Sequence, residues 1–242
     1  MRRLSKIFIM AMVLALFVCV LASCEQKNED KSSQNETKLS EQQQKLVGDY
    51  FEEAFKDIKP GKDRKLTDDE IKQIKKALTE NLPGSQFDDI KNITSNFFRA
   101  GSYSDVKKMD FESFINYFPG RTIEQNSDEF KEKMGKLKKL DNFSEYESLS
   151  NNMPLVEIDK NLVDNTLKKY ANIVSDDVET KDRCMYLKDY NAFYMFVSDV
   201  CVGTFVPKEG EIKGNNLILK QHSSTLTLEY KDSKFFVKSF TE

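Results

Sequence analysis

The amino-acid sequence predicts an α+β fold, in which a helical N-terminal half packs with a C-terminal antiparallel β-meander of five or six strands. Apolar residues recur at helical spacing as far as about residue 180, and after that point short aromatic and β-branched runs alternate with turn residues. Helices followed by strands is the chain order of an α+β domain. We therefore expect a helical region over 40–180 and the meander over 181–242, with 40–242 forming one compact unit.

Two capping boxes mark the first predicted helices. Ser40 with Gln43, and Thr67 with Glu70, have the spacing at which two side chains satisfy free N–H groups of the first helical turn. Apolar residues follow each box at spacings of three and four, which is typical of a helix face turned toward a core. These residues are Val47, Tyr50, Phe51, Ala54, Phe55 and Ile58 in the first helix, and Ile71, Ile74, Ala77 and Leu78 in the second. Further helices are predicted over 87–98, 111–118, 128–140 and 158–170.

Six short runs after residue 180 are predicted strands: 184–187, 192–198, 203–206, 217–220, 225–230 and 235–240. The run that begins at Ala192 is apolar on both faces, so we expect it in the centre of a sheet. Leu226, Leu228 and Tyr230 alternate with polar residues, which predicts one buried and one solvated face.

The first 24 residues have the three parts of an export signal. Arg2, Arg3 and Lys6 form a basic start, an apolar run covers 7–21, and small residues precede Cys24. The apolar run has 15 residues, fewer than the roughly 20 that a helix needs to span a bilayer. We therefore expect a signal peptide over 1–23 that is removed from the mature protein.

The last four residues of this stretch decide the type of signal. Leu21-Ala22-Ser23-Cys24 resembles the lipobox of bacterial lipoproteins. The resemblance implies cleavage between Ser23 and Cys24, lipidation of the Cys24 thiol, and a protein anchored to the cell membrane that faces outside the cytoplasm. Two acyl chains hold a protein stably where a single chain binds only marginally. The alternatives are an ordinary signal peptide and lipidation at Cys19, although two bulky residues precede Cys19.

A polar tether and an acidic domain are expected after the lipidated cysteine. Residues 25–38 contain no aliphatic or aromatic side chain, so we predict that 24–39 is a disordered spacer with a reach of about 20 Å. Without the three basic residues of the leader, the chain has 34 basic and 40 acidic side chains and a net charge of −6. This balance argues against nucleic acid and polyanionic wall polymers as main ligands, and as a whole it adds little attraction to anionic lipid.

The residues that usually carry catalysis are scarce. His222 is the single histidine, so zinc sites built from several His and Cys residues are excluded by count. A hydrolase could pair it with Ser223 or Ser224, but neighbours in a hairpin connection rarely point at one substrate. The sequence therefore predicts no catalytic residue, no metal and no cofactor, and whether the chain is an enzyme stays open, with non-enzymatic function favoured.

One segment imitates a calcium-binding loop. Asp63, Thr67 and Glu70 fall where the second half of a twelve-residue EF-hand loop has its ligands. Lys59 occupies the first ligand position and Arg64 replaces the turn glycine, and both changes oppose calcium. The capping box is the better explanation of Thr67 and Glu70.

Tyrosines around the predicted hairpin at 186–194 offer a weak binding hypothesis. Tyr186, Tyr190 and Tyr194 could stack against a sugar ring or contact another ligand. The alternative is that these rings fill a sheet core, which the two-sided apolar strand favours.

Two cysteines follow the leader and lie in a compartment where disulfides persist. If the hairpin turn centres between Asp189 and Tyr190, Cys184 faces Met195 and Cys201 lies about 20 Å further along. A disulfide needs Cα atoms within about 7 Å. We therefore predict that Cys184 and Cys201 are free thiols.

The C-terminal half carries a second resemblance. It is borne by Tyr186-Leu187-Lys188-Asp189-Tyr190, Phe193-Tyr194-Met195-Phe196, Ser198-Asp199 and Leu226-Thr227-Leu228. These motifs resemble a group of lipoproteins from clostridia and related Gram-positive bacteria. The resemblance implies an exported protein and supplies no catalytic residue.

Taken together, these features predict a membrane-anchored extracytoplasmic lipoprotein whose domain acts by binding. Its partners would be the membrane, through Cys24, and a protein, a wall fragment or a small solute, with no nucleic acid. The alternatives are a cell-envelope hydrolase without a recognisable motif and a structural component of an envelope assembly.

Overall fold

The computed structural model of the protein describes residues 49–79, 96–116, 118, 120–197 and 205–242. They fall within one compact unit, Thr37–Glu242. Helices and two antiparallel sheets build this unit, so the predicted α+β class is confirmed. The helices are α1 (Asp49–Phe55), α2 (Asp68–Thr79), α3 (Asn96–Arg99), α4 (Phe111–Ile115), α5 (Asp128–Leu137), α6 (Glu147–Ser150) and α7 (Lys160–Ala171).

The strands divide between the two sheets. The first sheet has the order β1-β6-β7-β8-β9, and the second has the order β2-β3-β5-β4. All the neighbouring strands in both are antiparallel. The strands are β1 (Gly61–Lys65), β2 (Arg121–Ile123), β3 (Leu155–Asp159), β4 (Met185–Leu187), β5 (Ala192–Phe196), β6 (Glu209–Gly214), β7 (Asn216–Gln221), β8 (Ser224–Lys231) and β9 (Lys234–Thr241).

The first sheet is buried on one face. Its strands β6 to β9 form a meander of consecutive hairpins, and β1 joins the edge of β6 from much earlier in the chain. Leu226 and Leu228 are fully buried while Thr227 between them is partly exposed, as the alternation predicts. On the buried face, Phe55 of α1 packs edge to face against Phe235 of β9, with ring centroids 5.9 Å apart.

The second sheet is buried on both faces. Every residue of β5 is buried, and β5 pairs with β3 on one side and β4 on the other, which confirms its predicted central position. One face joins the main core, whereas the other forms a second core with α5 and the residues that follow it. Val156, Ile158, Phe193 and Met195 belong to the first group, and Leu155, Ala192, Tyr194 and Phe196 belong to the second.

Two predicted helix starts can be compared with the structure. At α2 the Thr67 N–H donates to Glu70 Oε2 at 2.8 Å and the Glu70 N–H donates to Thr67 Oγ1 at 3.3 Å, so this capping box is confirmed. The helix predicted from Ile158 begins at Lys160 instead. Asp159 caps it by accepting from the Asn161 N–H at 2.8 Å, which leaves Ile158 in β3.

The division into a helical half and a single meander is corrected by the structure. Strands β1, β2 and β3 lie inside the region 40–180, and the strands of 181–242 belong to two sheets. β1 is exposed at every position and charged at four of five, so no apolar alternation marks it. β6 lies outside the predicted strands, because Gly210 and its charged neighbours are typical of turns and only Ile212 of this strand is buried. Phe205 and Val206 lie outside any strand.

Several predictions fall outside the described residues. They concern Ser23, Cys24, the tether at 24–39, Ser40 with Gln43, the helix start at 87–95 and Cys201. These stay predictions. In the part of the chain that the structure describes, no helix is both long and apolar enough to cross a membrane.

Candidate functional site

A group of charged and aromatic side chains lies between α5 and the second sheet, within an otherwise apolar layer. We call it the Glu157 cluster, and it consists of Arg121, Glu129, Lys133, Glu157, Tyr190 and Tyr194. Lys133 is only 5% exposed, which is rare for a lysine unless its charge is paired. A buried, paired lysine marks this cluster as the candidate functional site.

Strand register brings three members of the cluster into one row across the sheet. Arg121 of β2 is paired with Glu157 of β3, and Glu157 is paired with Tyr194 of β5. Residues directly opposite in an antiparallel pair point to the same face. All three side chains therefore point toward α5.

Helix α5 supplies the other side of the cluster. It begins after Ser127, whose Oγ accepts from the Phe130 N–H at 3.0 Å. Glu129 lies in the first turn, where an acidic side chain is favoured by the helix dipole. Lys133 follows one turn later on the same face, above the sheet.

Glu157 is the centre of the cluster. Its Oε2 accepts a hydrogen bond from the Tyr194 hydroxyl at 2.5 Å and lies 3.2 Å from Lys133 Nζ. Its Oε1 accepts from the Arg121 guanidinium at 3.1 Å. Arg121 also binds both carboxylate oxygens of Glu129. Two cations and two carboxylates thus form one connected network with no net charge.

The network fixes the ionisation of its members. Burial pushes the pKa of Glu157 upward, but hydrogen bonds from Tyr194 and Arg121 and the charge of Lys133 outweigh burial and leave the pKa below its ordinary value. The hydrogen bonds from Arg121 also lower the pKa of Glu129. Burial, together with the hydrogen bond to Glu157, raises the pKa of Tyr194. At neutral pH the carboxylates are therefore charged and the tyrosine keeps its proton.

Tyr190 forms the solvent-facing rim of the cluster. Lys133 Nζ lies 3.0 Å from the centroid of its ring, and Lys136 Nζ lies 4.3 Å from the same centroid. Its hydroxyl accepts from Lys136 Nζ at 2.6 Å and donates to Glu132. The hydrogen bond to Glu132 is the main cause that raises the pKa of Tyr190. Two lysines already occupy the surroundings of this ring.

This arrangement suits cohesion better than catalysis. A carboxylate whose pKa is lowered is a weak general base, and a buried tyrosine whose pKa is raised is a weak nucleophile. Glu157 and Tyr194 are such a pair. The cluster links α5 to β2, β3 and β5, and it holds a lysine charge inside the protein.

The three tyrosines predicted to bind a ligand do not meet at one surface. Tyr194 is 1% exposed and lies in the second core. Tyr186 is paired with Phe193 and packs with it on the opposite face of the sheet, with ring centroids 5.1 Å apart. Tyr190 alone lies at the rim, because it ends the turn between β4 and β5. A common sugar platform of these three rings is therefore not formed.

The carboxylate that imitated a calcium ligand is already occupied. Arg64 donates to both oxygens of Glu70, at 2.8 and 2.7 Å. The hydrogen bond from Arg64 is the largest cause that lowers the pKa of Glu70, to about 2. Asp63 accepts from the Gly214 N–H at 3.0 Å. Across the described ranges, no three His, Cys, Asp or Glu side chains are grouped so that they could hold a metal ion.

The remaining candidates are isolated. His222 is exposed in the turn between β7 and β8, with its Nε2 3.2 Å from Lys208 Nζ. Cys184 is a buried free thiol whose pKa is raised by burial. Met185 pairs with Tyr194, which confirms the hairpin register from which the Cys184 prediction was made.

Sequence reasoning missed the charged members of the cluster, although two signals mark them. Glu157 interrupts the apolar run of Leu155, Val156 and Ile158 in β3, and Lys133 lies among the apolar residues of α5. A charge on a buried face indicates an internal partner, because an unpaired one would be too costly. The identity of that partner depends on register between distant segments.

Comparisons with known proteins add no relative. No family model, no curated protein and no solved structure matches this chain.

Proposed function

We propose that this chain is an exported, lipid-anchored protein whose folded domain acts by binding outside the cytoplasm. The observation that carries the proposal is the order of its N-terminal segments: a basic start, an apolar run of 15 residues and Leu21-Ala22-Ser23-Cys24. The working unit is the compact domain of residues 40–242. Residues 24–39 connect this unit to the membrane.

Binding is favoured over catalysis by the chemistry of the described residues. The charged side chains of the Glu157 cluster are paired with one another, and the directions of their pKa shifts oppose acid–base and nucleophilic roles. Acyl-chain anchoring places a domain at a surface without requiring any chemistry from it. A domain anchored in this way can bind a protein, a wall fragment or a small solute, and the anchor does not distinguish between them.

The anchor is tested by comparing two cysteine variants in a bacterial host that processes lipoproteins. We expect wild-type chain in the membrane fraction, with a mature mass that begins at Cys24 and includes acyl chains. Cys24→Ala should abolish acylation and block normal cleavage. Cys19→Ala, the matched control within the same leader, should leave both unchanged. A mature terminus elsewhere than Cys24, or full processing of Cys24→Ala, would refute the anchor.

The binding mode is tested at the rim of the cluster. Tyr190 is partly exposed, while the Tyr186 side chain lies on the opposite face of the sheet. We expect Tyr190→Ala to reduce binding of any ligand that contacts this rim, and Tyr186→Ala to leave it unchanged. Equal effects of both variants would indicate loss of structure instead of loss of a contact.

A further inference from the structure

The solvated face of the first sheet carries an excess of lysine. Strand register and the Lys238–Glu229 ion pair place nine charged side chains on this face: Lys65, Glu209, Glu211, Lys213, Lys220, Glu229, Lys231, Lys234 and Lys238. Exposed acidic residues also lie beside it, Asp63 in the edge strand β1 and Asp232 in the β8–β9 turn. Six lysines against three glutamates give a charge of +3. Since the chain without its leader carries −6, the rest of it carries −9. The charge of this face is therefore opposite in sign to that of the chain as a whole.

The acidic residues on this face do not neutralise it. Glu211 pairs with Lys213 at 3.1 Å and Lys220 at 3.7 Å, and Glu229 pairs with Lys238 at 3.1 Å. In the described part of the chain, no carboxylate lies within ion-pair distance of Lys65, Lys231 or Lys234. These three lysines supply the excess.

Two of these lysines are placed against each other. Lys231 and Lys234 are directly opposite in the register of β8 and β9. Like charges directly opposite across a strand pair are destabilising. An anionic surface that lies against Lys231 and Lys234 relieves this repulsion, so the pair favours contact with negative charge.

The residues that line this face suit contact with a broad surface better than binding of a small ligand. Ile218, Thr225, Thr227 and Ser239 lie between the lysines and are partly exposed. Phe236, opposite Glu229 on the same face, is 7% exposed, and Lys234 Nζ lies 5.0 Å from the centroid of its ring. The described helices that contact this sheet pack on its other side, through residues such as Phe235 and Phe240. A surface of this kind presents its lysines together.

We propose that this sheet face, which we call the lysine face, rests on the anionic phospholipid surface of the membrane to which the protein is anchored. Juxtamembrane lysines are attracted to anionic lipid within about a Debye length, near 10 Å at 0.1 M salt. The predicted tether reaches about 20 Å, so it holds the domain close enough for this contact. The described helices on the other side of this sheet then face away from the membrane. The inference rests on the proposed anchor.

Lysine footprinting on vesicles tests the orientation. The mature chain is reconstituted into phosphatidylcholine vesicles with or without phosphatidylglycerol, and amine labelling is measured at each lysine by mass spectrometry. On anionic vesicles at 0.1 M salt we expect labelling of Lys213, Lys231 and Lys234 to fall about threefold or more. Lys138 at the end of α5 and Lys168 on α7, both exposed, should be unchanged. At 1 M salt, where the Debye length is about 3 Å, the protection should disappear.

A matched pair of variants assigns the effect to this face. Lys231→Glu with Lys234→Glu, and Lys138→Glu with Lys168→Glu, change the net charge equally at exposed or partly exposed positions. The first pair should abolish protection of Lys213, and the second should preserve it. Equal labelling on both lipids, or equal loss in both variants, would overturn the proposal. Protection by a soluble polyphosphate but not by anionic vesicles would overturn it in favour of a polymeric anion.

Failure of the anchor is recognised separately. If mass spectrometry finds Cys24 without acyl chains, the anchor proposal fails, and the footprint is measured on the same chain mixed with the same vesicles. Protection of the lysine face there still supports the contact with anionic lipid. Its absence there refutes that contact.

Discussion

The two sheets of this protein differ in how deeply they and their ion pairs are buried. The first is built mostly from consecutive hairpins and keeps one face in solvent, with its ion pairs exposed, such as Glu229 with Lys238 at 48% and 46% side-chain exposure. The second joins β2, β3 and β5, which lie far apart in the chain, and is buried on both faces. It nevertheless encloses Lys133, whose side chain is 6% exposed, against Glu157. We therefore expect the charged side chains of the first sheet to add little to the stability of the fold, and the buried charges of the second sheet to be needed for it.

The sharpest test of this difference removes one carboxylate from each sheet. Glu157→Leu leaves Lys133 buried without its partner and removes the acceptor of Tyr194, so we expect a loss of about 3 kcal/mol in the free energy of unfolding. Glu229→Leu removes an exposed pair and should cost within about 0.5 kcal/mol. Urea unfolding of both variants measures the contrast.

A double variant separates the effect of the Lys133–Glu157 charges from the effect of the packing of these two side chains. Lys133→Met together with Glu157→Leu removes both buried charges of the pair, and replacing a buried ion pair by apolar residues is often nearly neutral. We expect the double variant to be at least about 1 kcal/mol more stable than Glu157→Leu alone. If it is less stable, Lys133 contributes more through its cation–π contact with Tyr190 than through its ion pair with Glu157.

The same difference explains what the sequence could reveal. Hairpins such as β7–β8 and β8–β9 have local alternation and short turns, and the Leu226 to Tyr230 pattern predicted the correct buried face. β2 has three residues, and its partner β3 lies about thirty residues later, so nothing local marks their pairing. The Glu157 cluster depends on that pairing. Its members are ordinary surface types in sequence, and only the register that joins β2, β3 and β5 to α5 makes them a unit.

The second prediction compares two glycines near the cluster. A Cβ at Gly120 would lie 2.4 Å from Val156 Cγ1 and 2.8 Å from the Glu157 backbone oxygen. Because β3 cannot retreat from the packed sheet, Gly120→Ala should cost about 2 kcal/mol. A Cβ at Gly135 in α5 meets nothing within 4 Å, so Gly135→Ala should stabilise by up to about 1 kcal/mol. Thermal unfolding should therefore shift in opposite directions, and shifts of the same sign would contradict the close approach at Gly120.

The third prediction concerns acid stability at the edge of the first sheet. The pKa of Glu70 is lowered from 4.5 to about 2 by Arg64 of β1. A carboxyl with a lowered pKa stabilises the fold above its ordinary pKa, and this contribution is lost as the pH falls from about 4.5 toward about 2. Since the Arg64 side chain is 39% exposed, screening reduces the effect to about 1 kcal/mol.

Glu70→Gln removes the charge of this carboxyl and so isolates its contribution to the free energy of unfolding. The midpoint of urea unfolding should fall less steeply with acid in this variant than in wild type between pH 4.5 and 2. Glu157, whose pKa is also lowered, contributes a loss of the same sign in both proteins. Parallel curves for the two proteins would show that the Arg64–Glu70 pair adds nothing to stability.

The smallest expected effect lies in a hairpin turn of the first sheet. Asp232 and Ser233 connect β8 to β9 with φ values of 52° and 68°, a conformation that favours glycine over serine. Ser233→Gly should therefore stabilise by about 0.5 kcal/mol by thermal unfolding. Ser223 in the preceding hairpin lacks a positive φ, so Ser223→Gly should gain nothing and lose a few tenths of a kcal/mol, because glycine adds freedom only to the unfolded chain. A gain in one turn and a loss in the other would show that the stability of each hairpin of the first sheet depends on the backbone conformation of its own turn, and changes of the same sign would contradict this.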